Sequence, residues 1–240
     1  MGQNNDAEEG QEVALTLEFL LAEAPEEDRA LLLRLYNHLP DEDKNYFLAH
    51  TFRQYELIDR DSLTKAYNKR KFSRDLPGHT DMVDRGYSRF GRLDTSLTQA
   101  NDVSLIYGDI DHFKRVNDTY GHNTGDSVLR HFSSVLRKCL RKGEQNLYRI
   151  GGEEFAVVVP HTTTDDGRTI AHRLLERVRG DLSSITPEGV TASFGVSNYK
   201  GVSHTPDDFI KSADAALYWA KNNGRNQVCV YEAGVTPLMQ

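Results

Sequence analysis

Five residues, Gly151-Gly152-Glu153-Glu154-Phe155, place the tightest limit on how this 240-residue chain can fold. They separate two strand-like runs, 146–150 and 155–160, so we predict that they form the tip of a β-hairpin. Glycines allow backbone angles that other residues avoid, and they let a bulky ligand approach the main chain. Two adjacent carboxylates on such a tip repel each other unless a cation or a reacting group uses them. The hairpin tip is therefore a candidate functional site.

The N-terminal part of the chain differs from the rest in charge and in pattern. Residues 1–30 hold nine acidic residues and one arginine. This segment therefore accounts for the net charge of −7 of the chain, and the residues after it are together close to neutral. We expect a disordered acidic tail over 1–12 and a separate helical region over 13–60. Its predicted helices cover 13–24, 26–38 and a stretch from 41 towards 61. A dense set of leucines, at positions 31, 32, 33, 35 and 39, favours a small bundle or a dimer interface.

From residue 61 onward the pattern changes to mixed α/β. The sequence predicts strands over 103–108, 190–197 and 226–231, and helices over 125–142, 165–179 and 207–222. A hairpin among strands that helices connect is typical of a mixed sheet with helices packed on its faces. We place this domain at 61–232 and a C-terminal tail at 233–240. Residues 77–101 are interpreted as a long connection with a short helix.

Composition excludes several classes of protein. No apolar run approaches the roughly 18 residues that a membrane span needs, and the polar, acidic N-terminus is unlike a secretory signal, so we expect a cytoplasmic protein. Basic residues form no concentrated run, which argues against nucleic acid as a partner.

A second acidic cluster, Asp109-Ile110-Asp111, ends the predicted strand 103–108. Taken alone, such a pair is more often a turn or a helix cap than a metal site. Together with Glu153 and Glu154, however, it would provide the oxygen ligands that Mg²⁺ prefers, with substrate phosphates completing the octahedron. Two such ions could activate a 3′-hydroxyl and stabilise a leaving pyrophosphate.

Four motifs in order resemble those of the GGDEF family, the bacterial diguanylate cyclases. Residues 109–126 read DIDHFKRVNDTYGHNTGD and are similar to the family pattern DxDxFKxxNDxxGHxxGD. DSLT at 61–64 with NKR at 68–70 resembles the opening turn, and KNNGRN at 221–226 resembles the KxxGRN near the end. The hairpin tip is the GGEEF form of the signature loop. The resemblance covers about residues 61–231 and implies an α/β (α+β) fold with a largely antiparallel, palm-like sheet of the nucleotidyl cyclase type.

The resemblance also implies a role for each matching position. Asp109 and Glu154, through carboxylates, and Ile110, through its carbonyl, would bind metal, and Glu153 would act as a general base near the 3′-hydroxyl. Gly151 and Gly152 would shape the loop. The remaining implied roles are phosphate binding, by the main chain at Phe113 and Lys114 and the side chains of Lys221 and Arg225, and guanine recognition, by Asn117 and Asp126. Without the other motifs, Lys221 and Arg225 could simply decorate a helix C-terminus, where cations are favoured.

The activity implied is the condensation of two GTP molecules into cyclic di-GMP and two pyrophosphates at the interface of two such domains. It would require a homodimer and two Mg²⁺ ions per half-site, with Mn²⁺ as an alternative, while residues 13–60 would receive a protein or ligand signal. A competing interpretation is a catalytically silent module that binds GTP or cyclic di-GMP and acts through protein contacts. A purely helical adaptor would explain only residues 13–60.

One departure from the family pattern concerns its inhibitory product site, RxxD. The matching positions here are Lys142 and Gln145. Lysine lacks the planar fork that lets arginine clamp a phosphate with two hydrogen bonds. We therefore expect no product site of the usual kind.

Overall fold

A computed structural model describes residues 17–18, 20–21, 24–85, 87–88, 91–92, 102–140, 146–202, 205–232 and 235–239. The chain divides into two compact units, Met1–Arg60 and Asp61–Gln240. In chain order, the helices are α1 Glu26–His38, α2 Asp41–Asp59, α3 Lys69–Asp84, α4 Phe113–Tyr120, α5 His122–Cys139, α6 Thr164–Asp181, α7 Tyr199–Val202 and α8 Pro206–Asn222. The strands are β1 Tyr67–Asn68, β2 Tyr87–Ser88, β3 Gly91–Arg92, β4 Val103–Ile110, β5 Leu147–Gly151, β6 Glu154–Pro160, β7 Ala192–Asn198, β8 Val228–Glu232 and β9 Val235–Met239.

The N-terminal unit contains helices α1 and α2, and both were predicted. Each begins after a proline, Pro25 or Pro40, and carries three acidic residues in its first turn, where the helix dipole favours negative charge. Of the helix predicted over 13–24, residues 17, 18, 20 and 21 are helical, and residues 13–16, 19, 22 and 23 lie outside the described part. Leu20, Tyr36 and Leu48 form a small buried cluster. Among the described residues of this unit, six large apolar side chains are exposed, at Leu31, Leu33, Leu35, Tyr46, Leu57 and Ile58.

The second unit is built on a seven-stranded sheet in the order β1-β5-β6-β4-β7-β8-β9. Strand β4 lies at its centre and pairs antiparallel with β6 and β7, and β5–β6 and β8–β9 are also antiparallel. Only the β1–β5 and β7–β8 pairs are parallel among the described strands. The predicted mixed, largely antiparallel sheet is confirmed.

Helices cover both faces of this sheet. Alternate residues of β6 point to opposite sides, so Phe155 and Val157 join the core under α5 and α6, whereas Ala156 and Val158 join the core under α3 and α8. This double covering explains why β4 and β7 are almost continuously buried. Among the described helices, none is long and apolar enough to cross a membrane.

Residues 77–84 belong to helix α3, so the short helix predicted within the connection 77–101 is present, but it begins earlier, at Lys69. Helix α3 passes through Pro77, which cannot donate a backbone hydrogen bond. The buried side chains of Phe72, Leu76 and Val83 hold it against the core, and this packing outweighs the local preference. Beyond it lies the short antiparallel pair β2–β3, while residues 86, 89–90 and 93–101 are outside the described part. The predicted strand 103–108 also proves longer, reaching Ile110.

Candidate active site

Two acidic residues meet where the central strands end. The antiparallel register places Asp109 of β4 opposite Glu154 of β6, and on its other side opposite Ser193 of β7. Asp109 thus lies inside a strand that has neighbours on both sides, whereas Glu154 is exposed at the start of its strand. The two carboxylate clusters singled out in the sequence come together at one end of the sheet.

Asp109 is buried, lies against a lysine and has a raised pKa. Its residue is only 4% exposed, and its Oδ2 lies 2.7 Å from Nζ of Lys221. Burial raises its pKa to about 6, because removal from water disfavours the charged form, and the nearby charges of Glu153 and Glu154 act in the same direction. The ammonium of Lys221 opposes this shift without cancelling it. Three carboxylates against one ammonium leave an excess of negative charge.

The glycine pair forms the predicted hairpin tip. Gly151 ends β5 and Glu154 begins β6, so Gly152 and Glu153 make the two-residue turn, with Gly152 at φ +43°. A Cβ added to either glycine would meet no atom within 4 Å, which leaves the main chain open to a ligand. Arg149 fixes the tip, because its Nε and Nη2 donate to the Gly152 carbonyl at 2.9 and 2.7 Å. Sequence reasoning missed this arginine, although a cation two residues before the tip was a visible signal.

Arg149 also ties the tip to the start of the domain. Its Nη1 donates to Oδ1 of Asp61 at 3.0 Å, and the same oxygen accepts hydrogen bonds from the Thr64 amide and hydroxyl. Burial would raise the pKa of Asp61, but the hydrogen bonds from Thr64 and Arg149 outweigh burial and lower it. The 61–64 turn and the hairpin tip are therefore one hydrogen-bonded structure.

Helix α4 starts directly beyond the end of β4. Its first two residues are Phe113 and Lys114, so their amides belong to the first turn, where backbone donors have no partner within the helix. The preceding His112 has left-handed angles (φ +56°) and makes no side-chain cap bond. A helix start of this kind suits an anion.

Asn117 and Asp126 come from two successive helices that Gly121 joins. Helix α5 approaches α4 so closely that a Cβ on Gly125 would lie 1.9 Å from Oδ1 of Asn117. The absence of a side chain at Gly125 therefore makes room for the Asn117 amide. The Asp126 side chain is 46% exposed and lies 4.0 Å from Arg130, and Asn117 is partly exposed, so both polar groups can meet a ligand.

Lys221 and Arg225 lie at the end of α8. Lys221 contacts Asp109, as described, whereas Arg225 is exposed just beyond the helix with left-handed backbone angles. The sequence-predicted residues at 109, 153, 154 and 221 are thus brought together directly. Lys142 and Gln145 lie outside the described residues.

The donor set is sparse for a metal. In the described part of the chain, no three side chains of His, Cys, Asp or Glu converge in the way that a protein-only metal site needs. Asp109 and Glu154 supply two carboxylates and Ile110 a neighbouring carbonyl, which is the kind of partial oxygen set that Mg²⁺ completes with water and substrate phosphates. The uncompensated negative charge around Asp109 fits a divalent cation.

Comparison with known proteins agrees with this geometry. A family model described as diguanylate cyclase, GGDEF domain, matches residues 58–227. The diguanylate cyclase DgcM of Escherichia coli (strain K12) is 40% identical over 135 residues, which are 55% of this chain and 32% of that protein. This chain spans between about a third and about half of the length of the curated relatives it matches.

Two solved structures extend the similarity to the fold. The coiled coil and GGDEF domain of DgcB from Caulobacter crescentus, in complex with c-di-GMP, matches with a TM-score of 0.63 at 27% identity and covers 84% of this chain and 99% of that one. The diguanylate cyclase SiaD from Pseudomonas aeruginosa, in complex with its activator SiaC, matches with a TM-score of 0.62 at 26% identity and covers 94% and 79%.

Proposed function

Because the chain belongs to the family of diguanylate cyclases that share the GGDEF domain, we propose that it condenses two GTP molecules into cyclic di-GMP and two pyrophosphates. The observation that carries this proposal is the register that sets Asp109 opposite Glu154, at the same end of the sheet as the start of α4. Carboxylates at the same end of a sheet as a helix N-terminus are suited to a phosphate chain bound through a metal.

Substrate recognition would use the polar groups around α4. The Asn117 amide and the Asp126 carboxylate can address the O6 acceptor and the N1–H and N2–H donors of guanine. The amides of Phe113 and Lys114 would bind phosphate oxygens, together with the side chains of Lys221 and Arg225. Such a site rejects adenine, because adenine would leave these polar groups unpaired.

Mg²⁺ is the cofactor that best suits the oxygen set, with two ions per half-site and Mn²⁺ as an alternative. Asp109, Glu154 and the carbonyl of Ile110 would hold it. When bound, a divalent ion makes the 3′-hydroxyl easier to deprotonate and stabilises the charge of the departing pyrophosphate.

Glu153 would serve the attacking group. It lies in the turn, partly exposed and adjacent to the metal-binding position Glu154. In the proposed step the 3′-oxygen of one GTP forms a bond to the α-phosphorus of the other, the bond to the β-phosphate oxygen breaks, and Glu153 accepts the hydroxyl proton. Repetition of the step with the roles exchanged closes the ring.

One domain binds one GTP, so catalysis would need a second copy of the chain. The apolar side chains exposed on α1 and α2, among them Leu31, Leu35 and Leu57, provide surface for such pairing. The N-terminal unit would also receive the input signal. Control by a protein partner has a parallel in a similar diguanylate cyclase, SiaD, which has a structure in complex with its activator. With Lys142 and Gln145 at the positions of the usual inhibitory pair, we propose that product inhibits only weakly.

The experiment is product analysis with purified protein, GTP and MgCl₂. Wild type should yield cyclic di-GMP by mass spectrometry, while Asp109→Asn and Glu154→Gln should lose at least about a hundredfold in rate. Asp165→Asn, a change at an exposed carboxylate paired with Arg168, is the matched control and should keep full activity. Binding of GTP without turnover by wild type would instead support a silent binding module.

A further inference from the structure

The segment that carries Arg225 has an unusual backbone. Gly224, Arg225 and Asn226 have successive φ values of +113°, +62° and +48°. Left-handed angles are unfavourable for residues with a Cβ, and two such residues in a row persist only where surrounding contacts hold them. The contacts that hold segment 224–226 therefore matter for the position of Arg225.

Asp111 holds the segment from inside the fold. Its carboxylate is buried, and its Oδ2 accepts a hydrogen bond of 2.9 Å from the Asn226 amide. The hydroxyls of Thr191 and Ser193 each donate to the same carboxylate at 2.7 Å. These bonds compensate the burial of the carboxylate and attach segment 224–226 to the end of β4 and to β7.

Arg179, in the last turn of α6, holds the segment from outside. Its Nε donates to Oδ1 of Asn226 at 2.9 Å, and its Nη2 donates to the Asn226 carbonyl at 2.6 Å. The Arg179 guanidinium thus binds both the side chain and the main chain of Asn226, and a lysine, which lacks this planar group, cannot make both hydrogen bonds in the same geometry. Asn226 is therefore fixed at its amide, its carbonyl and its side chain.

We propose that Asp111 and Arg179 are positioning residues, which hold segment 224–226 in its left-handed conformation and so set where Arg225 meets the substrate phosphates. The two aspartates at the end of β4 then have different tasks. Asp109 contacts Lys221 and faces Glu154, whereas Asp111 anchors the segment that follows α8. The catalytic part of this inference rests on the proposed function, because that function assigns Arg225 to phosphate.

Steady-state kinetics test the role of Arg179. Arg179→Ala should raise the KM for GTP about tenfold and lower kcat less, because the loss of the fork releases a substrate contact. Glu176→Ala is the matched control, since it removes the other contact of Arg179 and should leave KM unchanged. Adding Asn226→Gly to Arg179→Ala should bring the KM for GTP most of the way back to the wild-type value, because glycine adopts a positive φ without strain.

Amide exchange of Asn226, measured by NMR, tests the anchor without any need for activity. In Asp111→Ala, and also in Arg179→Ala, this exchange should become at least about tenfold faster than in wild type. A wild type that makes no cyclic di-GMP would refute the proposed function, and the exchange rate would then decide this inference alone. Unchanged exchange in both variants, or an active enzyme whose KM is the same in Arg179→Ala, would overturn it.

Discussion

Gly125→Ala should weaken substrate recognition while it leaves the free energy of unfolding almost unchanged. Gly125 lies in the first turns of α5, where an added Cβ would be 1.9 Å from Oδ1 of Asn117 and 3.3 Å from Cζ of Phe113. The nearest atom is the end of a flexible side chain, so we expect Asn117 to rotate away while the helices keep their places. The Asn117 amide, which we propose binds guanine, would then point elsewhere.

The magnitudes follow from this geometry. Replacing glycine by alanine in a helix stabilises it by about 1 kcal/mol, and moving Asn117 off its preferred rotamer costs roughly 0.5–1.5 kcal/mol. The free energy of unfolding should therefore change by less than about 1 kcal/mol. Loss of the amide contact to guanine should cost about 1–3 kcal/mol, which is roughly a 5- to 150-fold fall in kcat/KM for GTP.

Kinetics with GTP and ATP, combined with urea unfolding, would measure both quantities. Gly78→Ala is the control, since a Cβ there meets nothing within 4 Å and should leave kcat/KM unchanged. In Gly125→Ala, preference for GTP over ATP should weaken, and Asn117→Ala should add little further loss. A variant that is destabilised by several kcal/mol, yet keeps its kcat/KM for GTP, would refute the reasoning.

Three further predictions concern stability. Burial depresses the pKa of His79 from 6.5 to about 4, so the unfolded chain binds this proton more readily than the folded one. Stability should be fully present above pH 6.5 and fall as the pH decreases towards 4, by about 2 kcal/mol between about pH 7.5 and about pH 5. Urea unfolding at both pH values should show this loss in wild type and a smaller loss in His79→Leu; equal losses would contradict the assignment. Thr163→Val removes the capping box at the start of α6 and should cost about 1 kcal/mol of unfolding free energy, whereas Thr163→Ser should cost almost nothing. Gly195→Ala would place a Cβ 2.2 Å from the Leu217 amide nitrogen and 2.4 Å from the Ala213 carbonyl oxygen. Since backbone atoms cannot rotate away, it should destabilise by about 3 kcal/mol or more in urea, and a loss under about 1 kcal/mol would argue against this close packing.

The hairpin at 151–154 was predictable because its determinants are local. A glycine pair between two apolar runs specifies a turn, and the structure confirms it with Gly152 at a positive φ. The helices of the N-terminal unit were predictable for the same reason, since Pro25 and Pro40 with their acidic first turns mark helix starts. Signals of this kind act within a few residues.

The missed features depend on contacts between distant parts of the chain. The hydrogen bond from Asn226 to Asp111 spans 115 positions, and the one from Arg149 to Asp61 spans 88. The hydrophobic periodicity of a sequence does not indicate hydrogen bonds between residues so far apart in the chain. The sequence predicted a short helix within 77–101 but not its start at Lys69, because Pro77 is a local breaker, while burial of Leu76 and Val83 in the tertiary structure decides the outcome.

The rate of cyclic di-GMP formation across protein concentration tests the central claim most directly. If two copies of the chain join their half-sites around two GTP molecules, wild type should convert GTP to cyclic di-GMP, and its activity per mole should rise with concentration until the dimer saturates. Glu154→Gln should be at least about a hundredfold slower than wild type at every concentration. Absence of cyclic di-GMP from wild type at concentrations where it is dimeric, or an activity per mole that stays constant while the chain is monomeric, would contradict the account.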